Sequence, residues 1–183
     1  MIYMFIAEGF EEIEALCPLD IMRRAGLDVV TVGIGGKQIT GAHKITVATD
    51  MSDEEYDNLT NKSADMIFLP GGMPGTVNLA NSHTVMSAIS VAAQEQKYIA
   101  AICAAPSILG DMGLLEGKEA ICYPGFEARL KGARISEKSV VLDGKILTAA
   151  GMGVALKMGL VIVSIFCGEE KSQSLAKAII ADR

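Results

Sequence analysis

Short apolar runs closed by glycine or other small residues alternate with amphipathic stretches along this chain, and no other feature of the sequence limits its fold so strongly. Ile2–Ala7, residues 11–25 and residues 28–34 read as strand, helix and strand, the opening of a parallel sheet covered by helices. Further strands are expected at Met66–Leu69, Tyr98–Ile102, 119–122 and 145–148, and helices at 83–96, 106–112, 153–167 and 171–181. Residues 44–49 and 139–142 alternate apolar with polar side chains and read as exposed or edge hairpin strands. Nothing resembles a linker or a repeat. With 183 residues, one domain over 1–183 is expected, an α/β three-layer sandwich.

Composition narrows the partners. The formal charge of −6 argues against nucleic acid and anionic membranes and leaves small solutes. The most apolar late segment, residues 158–168, is too short to span a bilayer and reads as a core helix. The amino terminus lacks the basic start of a secretory signal, so a cytoplasmic protein is expected. Cys17, Cys103, Cys122 and Cys167 show no close pairing, and His43 and His83 lie far apart. Neither a disulfide framework nor a metal site is indicated, and no cofactor is expected.

In an open parallel sheet, ligands gather at the carboxyl ends of the strands. Three loops there carry chemistry. The first follows Tyr98–Ile102, where an apolar run ends on Cys103 and passes through Ala104 and Ala105 into Pro106, a helix-opening signal. A strand turning so sharply into a helix pushes the side chain at the turn out over the sheet edge. The helix start then aims free N–H groups at the sulfur, favouring thiolate. The second loop, Leu69-Pro70-Gly71-Gly72-Met73-Pro74-Gly75, lets the backbone approach another group closely, and the Gly72 N–H with that of Ala104 would make a two-donor oxyanion hole.

The third loop leads to Glu11, Glu12 and Glu14 at a helix start. Glu11 and Glu12 read as solvated first-turn acids. Glu14 differs, because Pro18 cannot donate to its carbonyl, so a kink or restart is expected that turns the Glu14 side chain over the sheet edge toward Cys103. Magnitudes call for such a partner. Lowering a thiol pKa from about 8.5 to about 5.5 takes roughly 4 kcal/mol, whereas a helix terminus supplies at most about 2. A carboxyl group helps only when protonated, since an ionised neighbour raises the thiol instead.

The segments A-x-G-x-E-E-x-E (7–14), D-I-M-R-R-A-G (20–26), L-P-G-G (69–72), A-A-I-C-A-A-P (100–106) and D-G-K-I-L-T (143–148) together resemble the ThiJ/PfpI superfamily. Within it they are most similar to the branch of the parkinsonism-associated protein deglycase and its bacterial relatives. The resemblance implies a flavodoxin-like sandwich, of the class I glutamine-amidotransferase type, and a homodimer. It implies Cys103 as an oxidation-sensitive nucleophile, Glu14 as its protonated partner, and the Gly72 and Ala104 amides as oxyanion donors. Gly71 and Met73 belong to the same pocket, Arg24 matches a dimer-interface arginine, and His43 aligns near a basic residue at that interface.

One departure stands out. Tyr123 occupies the position where several members place a histidine near the cysteine. A peptide leaving group needs a proton donor, so a cysteine peptidase or amidase loses support. The implied activity is cofactor-independent hydrolase or lyase chemistry on reactive dicarbonyls (a glyoxalase) or on early glycation adducts of proteins (a deglycase). The alternative is an oxidative-stress sensor or chaperone whose Cys103 oxidises to sulfinate.

Overall fold

The computed structural model describes residues 1–181. Seven strands form the central sheet: β1 (Ile2–Ala7), β2 (Val29–Ile34), β5 (Met51–Ser52), β6 (Met66–Leu69), β7 (Tyr98–Ile102), β10 (Val140–Asp143) and β11 (Ile146–Ala149). Their order is β10-β11-β7-β6-β1-β2-β5, parallel throughout except for the antiparallel edge pair β10 and β11. From β1 the chain runs outward through β2 to β5 and returns on the other side at β6, so its direction of travel reverses beside β1 and β6. Ligands bind at such reversals, off the carboxyl ends of the strands.

The alternation of side chains divides the core in two. Tyr3, Phe5 and Ala7 of β1 join Ile67 and Leu69 of β6 and Ile99 and Ala101 of β7 on one face. Their neighbours Ile2, Met4, Ile6, Met66, Phe68, Ala100 and Ile102 face the other way. Both faces are covered, which is why these strands read as unbroken apolar runs. Helices α3 (Gly75–Asn81), α4 (His83–Gln94) and α5 (Pro106–Asp111) cover the first face, and α1 (Glu12–Arg24) and α6 (Ala155–Cys167) the second. A last helix, α7 (Glu169–Ala178), packs on α6. This is the expected flavodoxin-like α/β sandwich.

The strand at 44–49 is β4 (Thr46–Ala48), an exposed hairpin strand as expected, paired with β3 (Gln38–Thr40) outside the main sheet. Two expectations change. The strand at 119–122 shrinks to β8 (Glu119–Ala120), paired with β9 (Arg134–Ile135), because the Ile121 N–H turns to Thr148 Oγ1 at 3.0 Å. And α1 runs unbroken through Pro18, with no restart. Its buried residues Glu14, Ala15, Pro18, Ile21 and Met22 make a helical stripe toward the core, so Glu14 faces inward by helical phase. The short α2 (Asp53–Asp57) was not anticipated, although Ser52 and Glu55 form the capping box their spacing spells.

Candidate active site

Cys103 sits where β7 gives way to α5, with a φ of +65° that a residue bearing a Cβ rarely adopts. The turn is held on both sides. Its N–H donates to the Ala149 carbonyl at 2.9 Å, and its carbonyl accepts the Tyr123 N–H at 2.7 Å. Ala104 and Ala105 are buried, so larger side chains would have no room, and Pro106 opens the helix. Cys103 itself stays partly accessible. A strained, tied-down turn that presents a thiol is what the sequence predicted here.

Glu14 reaches the same point from α1. Its carboxyl group is buried and accepts the Gly71 N–H at 3.0 Å, while the Gly71 carbonyl takes the Glu11 N–H at 2.9 Å. Gly71 therefore joins two loops. A Cβ at this position would sit 2.5 Å from Glu14 Oε2 and 2.6 Å from the Cys103 Cβ, so only glycine lets acid and thiol converge. Gly72 adopts a φ of +94° and its Cβ would fall 2.7 Å from the Gly9 carbonyl oxygen. Its N–H, with that of Ala104, faces the Cys103 sulfur.

Electrostatics qualifies the sequence argument. Burial raises the Glu14 carboxyl to about 7, with the charge of Glu11 adding to it and hydrogen bonds from Cys103, Gly71 and Met152 opposing it. The acid is thus half-protonated near neutrality, as its proposed role requires. The thiol does not follow the expectation of a lowered pKa. Burial first, then the charge and hydrogen bond of Glu14, push Cys103 up to about 12, and the Ala104 and Gly72 N–H groups offset only part of this. Helix α5 has six residues, too few to supply a strong dipole. Both groups belong to one coupled titration, in which the first proton leaves the pair near pH 7 and the second far higher.

The remaining candidates divide. Tyr123 is half-exposed, and a Cβ on Gly151 would lie 3.3 Å from its ring edge and 3.8 Å from Glu14 Oε1, so both side chains border Gly151. Met73 and Met152 are exposed, on the loops that follow Gly72 and Gly151. Arg24 and His43 do not join the pair within one chain. Arg24 is bound to Asp20 at 2.6 Å, ten residues beyond Glu14 and so about 15 Å along the helix. The exposed His43 ring lies with Nδ1 3.0 Å from Glu12 and 3.5 Å from Glu11.

Glu12 corrects a second expectation. It is 4% exposed, not a solvated first-turn acid, because the turn after β3 folds over it. Nothing in local spacing signals this contact, which spans 31 residues. Glu11, Glu12 and His43 also bring metal-binding atoms within 4.8 Å of one another among the described residues, Glu12 and His43 being hydrogen-bonded to each other.

Residues 1–165 match the model of the DJ-1/PfpI family. The chain belongs to that family. It is 31% identical to Protein dj-1beta of Drosophila melanogaster over 180 residues, covering 97% of this chain and 95% of that protein. It is 33% identical to Protein DJ-1 homolog B of Arabidopsis thaliana over 177 residues, 96% of this chain; the chain spans about 40% of that plant relative's length. A protein named Glutathione-independent glyoxalase DJR-1.2 from Caenorhabditis elegans is 28% identical over 173 residues, 94% of this chain and 91% of that one. Among solved structures, Toxoplasma gondii DJ-1, oxidized, superposes with a TM-score of 0.92 at 29% identity, covering 98% of this chain and 97% of that one. Drosophila DJ-1beta does so with 0.90 at 30% identity, covering 98% and 96%. The matched residues span all five motifs read above, and the fold brings Glu14 of α1 and Cys103 after β7 together around Gly71.

Proposed function

We propose that this DJ-1/PfpI member is a cofactor-independent cysteine enzyme that converts reactive dicarbonyls, free or as early adducts on proteins, to hydroxy acids. The observation that carries it is the buried Glu14 carboxyl, anchored on Gly71 and titrating near 7, beside a partly accessible Cys103. The relative named a glyoxalase supports the same reading.

The one-proton state of the pair has two forms, carboxylate with thiol or carboxyl with thiolate. The second is the reactive one. Its sulfur adds to the aldehyde carbon of methylglyoxal while the carbonyl oxygen takes the Glu14 proton, giving a hemithioacetal. The Gly72 and Ala104 N–H groups steady charge developing at that oxygen. Glu14, now ionised, removes the proton from the former aldehyde carbon to give an enediol and returns it to the neighbouring carbon, while the hydroxyl proton passes to that carbon's oxygen. The product is a thioester of lactate, one carbon oxidised and the next reduced, with no outside electron acceptor. Water then releases lactate and restores the thiol.

This route needs no histidine. A peptidase or amidase would need a donor for its amine leaving group, and within the chain His43 is turned to Glu12, which leaves that alternative least supported. The sensor reading keeps one specific support, since the Toxoplasma neighbour is described as oxidized. A sulfinate on Cys103 would find the same two N–H donors and a carboxyl able to donate. A cytoplasmic homodimer completes the proposal; no helix among the described residues is long and apolar enough to cross a membrane.

The deciding assay presents methylglyoxal, a glycated peptide and glutamine side by side to the unaltered protein and to Cys103→Ala. Lactate formation by the former alone is expected. Equal rates in both would end the enzyme reading, and rapid gain of two oxygens on Cys103 without turnover would favour the sensor.

A further inference from the structure

Glu12 is the second buried carboxylate of α1, and the mechanism above makes no use of it. Its oxygens are fully engaged by one short turn. Oε1 accepts the backbone N–H of His43 at 2.8 Å and of Ile45 at 3.4 Å, and Oε2 lies 3.0 Å from His43 Nδ1. These donors all belong to the connection between β3 and β4. Backbone bonds continue the seam on either side: the Gly9 N–H donates to Thr40 at 2.8 Å, and the Ala42 N–H to Phe10 at 2.8 Å. The hairpin lies outside the central sheet, so this seam is what fixes it against the start of α1.

The same stretch of α1 is gripped from its other side by Gly71, through the Glu11 N–H and the Glu14 carboxyl. Residues 12 and 14 are about 200° apart around a helix, so the two grips oppose one another. Phe10, fully buried between them, fills the space and fixes the entry of the chain. We infer that Glu12 is a positioning residue: by pinning the first turn of α1 to the β3–β4 turn, it sets where the Glu14 carboxyl meets the Cys103 sulfur. The inference rests on the reading of Cys103 and Glu14 as the working pair.

The ionised form suits this task. Although burial works against it, Glu12 is held below the usual carboxylate range by its own backbone N–H and then by its hydrogen bonds to His43 and Ile45. The charged groups facing it are His43, raised by its bond to Glu12, and Glu11, 3.5 Å from the same imidazole. Glu11 in turn raises Glu14, which makes the seam an electrical as well as a mechanical neighbour of the pair.

The test uses the full-length protein, with Glu12→Ala, the near-isosteric Glu12→Gln and His43→Ala. The primary readout is the pH profile of Cys103 alkylation by iodoacetamide, which needs no substrate turnover. Glu12→Ala is expected to move upward, by about one unit, the step near pH 7 at which the pair loses its first proton. For methylglyoxal it is expected to lower kcat about tenfold with KM within about twofold, the signature of a misplaced acid. Glu12→Gln, which keeps an acceptor for the two backbone donors, should recover most of both. A wild-type profile in folded Glu12→Ala overturns the inference, as does a Gln variant no better than Ala. If Glu12→Ala does not fold, His43→Ala decides: a smaller shift in the same direction supports the role, and an unchanged profile overturns it. Absence of turnover in the unaltered protein would sink the proposed reaction while leaving the alkylation profile readable.

Discussion

Two cysteines sit on neighbouring loops at one end of the sheet, one packed with each face of the core, and their surroundings differ. Cys103 and Cys122 are linked through a single hydrogen bond, from the N–H of Tyr123, the residue after Cys122, to the Cys103 carbonyl. Burial raises both, to about 12 and about 11 respectively. Cys122 packs in the core among Ala120, Leu130 and their neighbours, with the charge of Glu127 adding to the effect of burial. Cys103 has a strained backbone, a carboxyl partner titrating near 7 and two N–H donors. Thus a raised thiol pKa is common to both regions, and what distinguishes Cys103 is a neighbour able to exchange a proton with it. Burial alone makes a cysteine inert.

The comparison breaks most sharply on removal of each sulfur. Cys103→Ala is expected to lower lactate formation from methylglyoxal by about 10³-fold or more, since a nucleophile has no substitute in this pocket. Cys122→Ala should leave the rate within about twofold. Steady-state rates with both folded variants check this. Substantial loss in Cys122→Ala would mean that the two regions act as one.

Next in size is the loss of the acid. In Glu14→Gln the first proton can no longer leave the carboxyl, so thiolate must form against burial alone. The step near pH 7 that Cys103 alkylation takes from the pair should disappear, leaving a single midpoint above the ordinary thiol value of about 8.5. Turnover should fall by roughly 10²- to 10³-fold, the usual scale for a general acid and base. A midpoint that stays near 7 in Glu14→Gln would show that the neutral titration belongs to another group.

How much of this arrangement was legible beforehand depends on distance along the chain. The elbow at Cys103 could be read from adjacent residues, because Ala104, Ala105 and Pro106 restrict the local backbone. The strands could be read for the same reason, since burial on both faces leaves continuous apolar runs such as Ile2–Ala7. The inward aim of Glu14 was anticipated for the wrong cause. Helical phase, not a break at Pro18, turns it to the core. Glu12 was missed altogether, because its burial comes from a turn 31 residues away that nothing at 11–14 foreshadows. The thiol pKa was misjudged because local donors are visible in sequence, whereas desolvation is a property of the packed whole.

A third difference concerns stability against pH. Glu14 is raised from an ordinary value near 4.5 to about 7, so between those limits the folded state holds a proton that the unfolded state has lost. Stability therefore falls as pH rises through this window, by about 3 kcal/mol at most for a shift of this size, and levels off above it. Groups held low, such as Glu12 and Asp50, act oppositely and below that window, losing their contribution as pH falls through their folded values. Urea unfolding at pH 5 and pH 7.5 should show the decline in the unaltered protein and a flatter profile in Glu14→Gln. Equal slopes in the two would remove Glu14 as its source.

The smallest effect sharpens the other side of the comparison. Cys122 is 1% exposed and its sulfur fills core space, so Cys122→Ala should cost stability, about 1 kcal/mol, through lost packing. It should leave untouched both the pH slope and the Cys103 alkylation midpoint, because it removes no proton partner of Glu14. The backbone bond from Tyr123 to Cys103 survives the substitution, since the N–H of residue 123 makes it. If the midpoint nevertheless shifts by more than about 0.3 units, packing around residue 122 must be transmitted through that bond to the elbow. In that event the strained φ of Cys103 would owe its position to the loop after β8 as much as to the small residues that follow it.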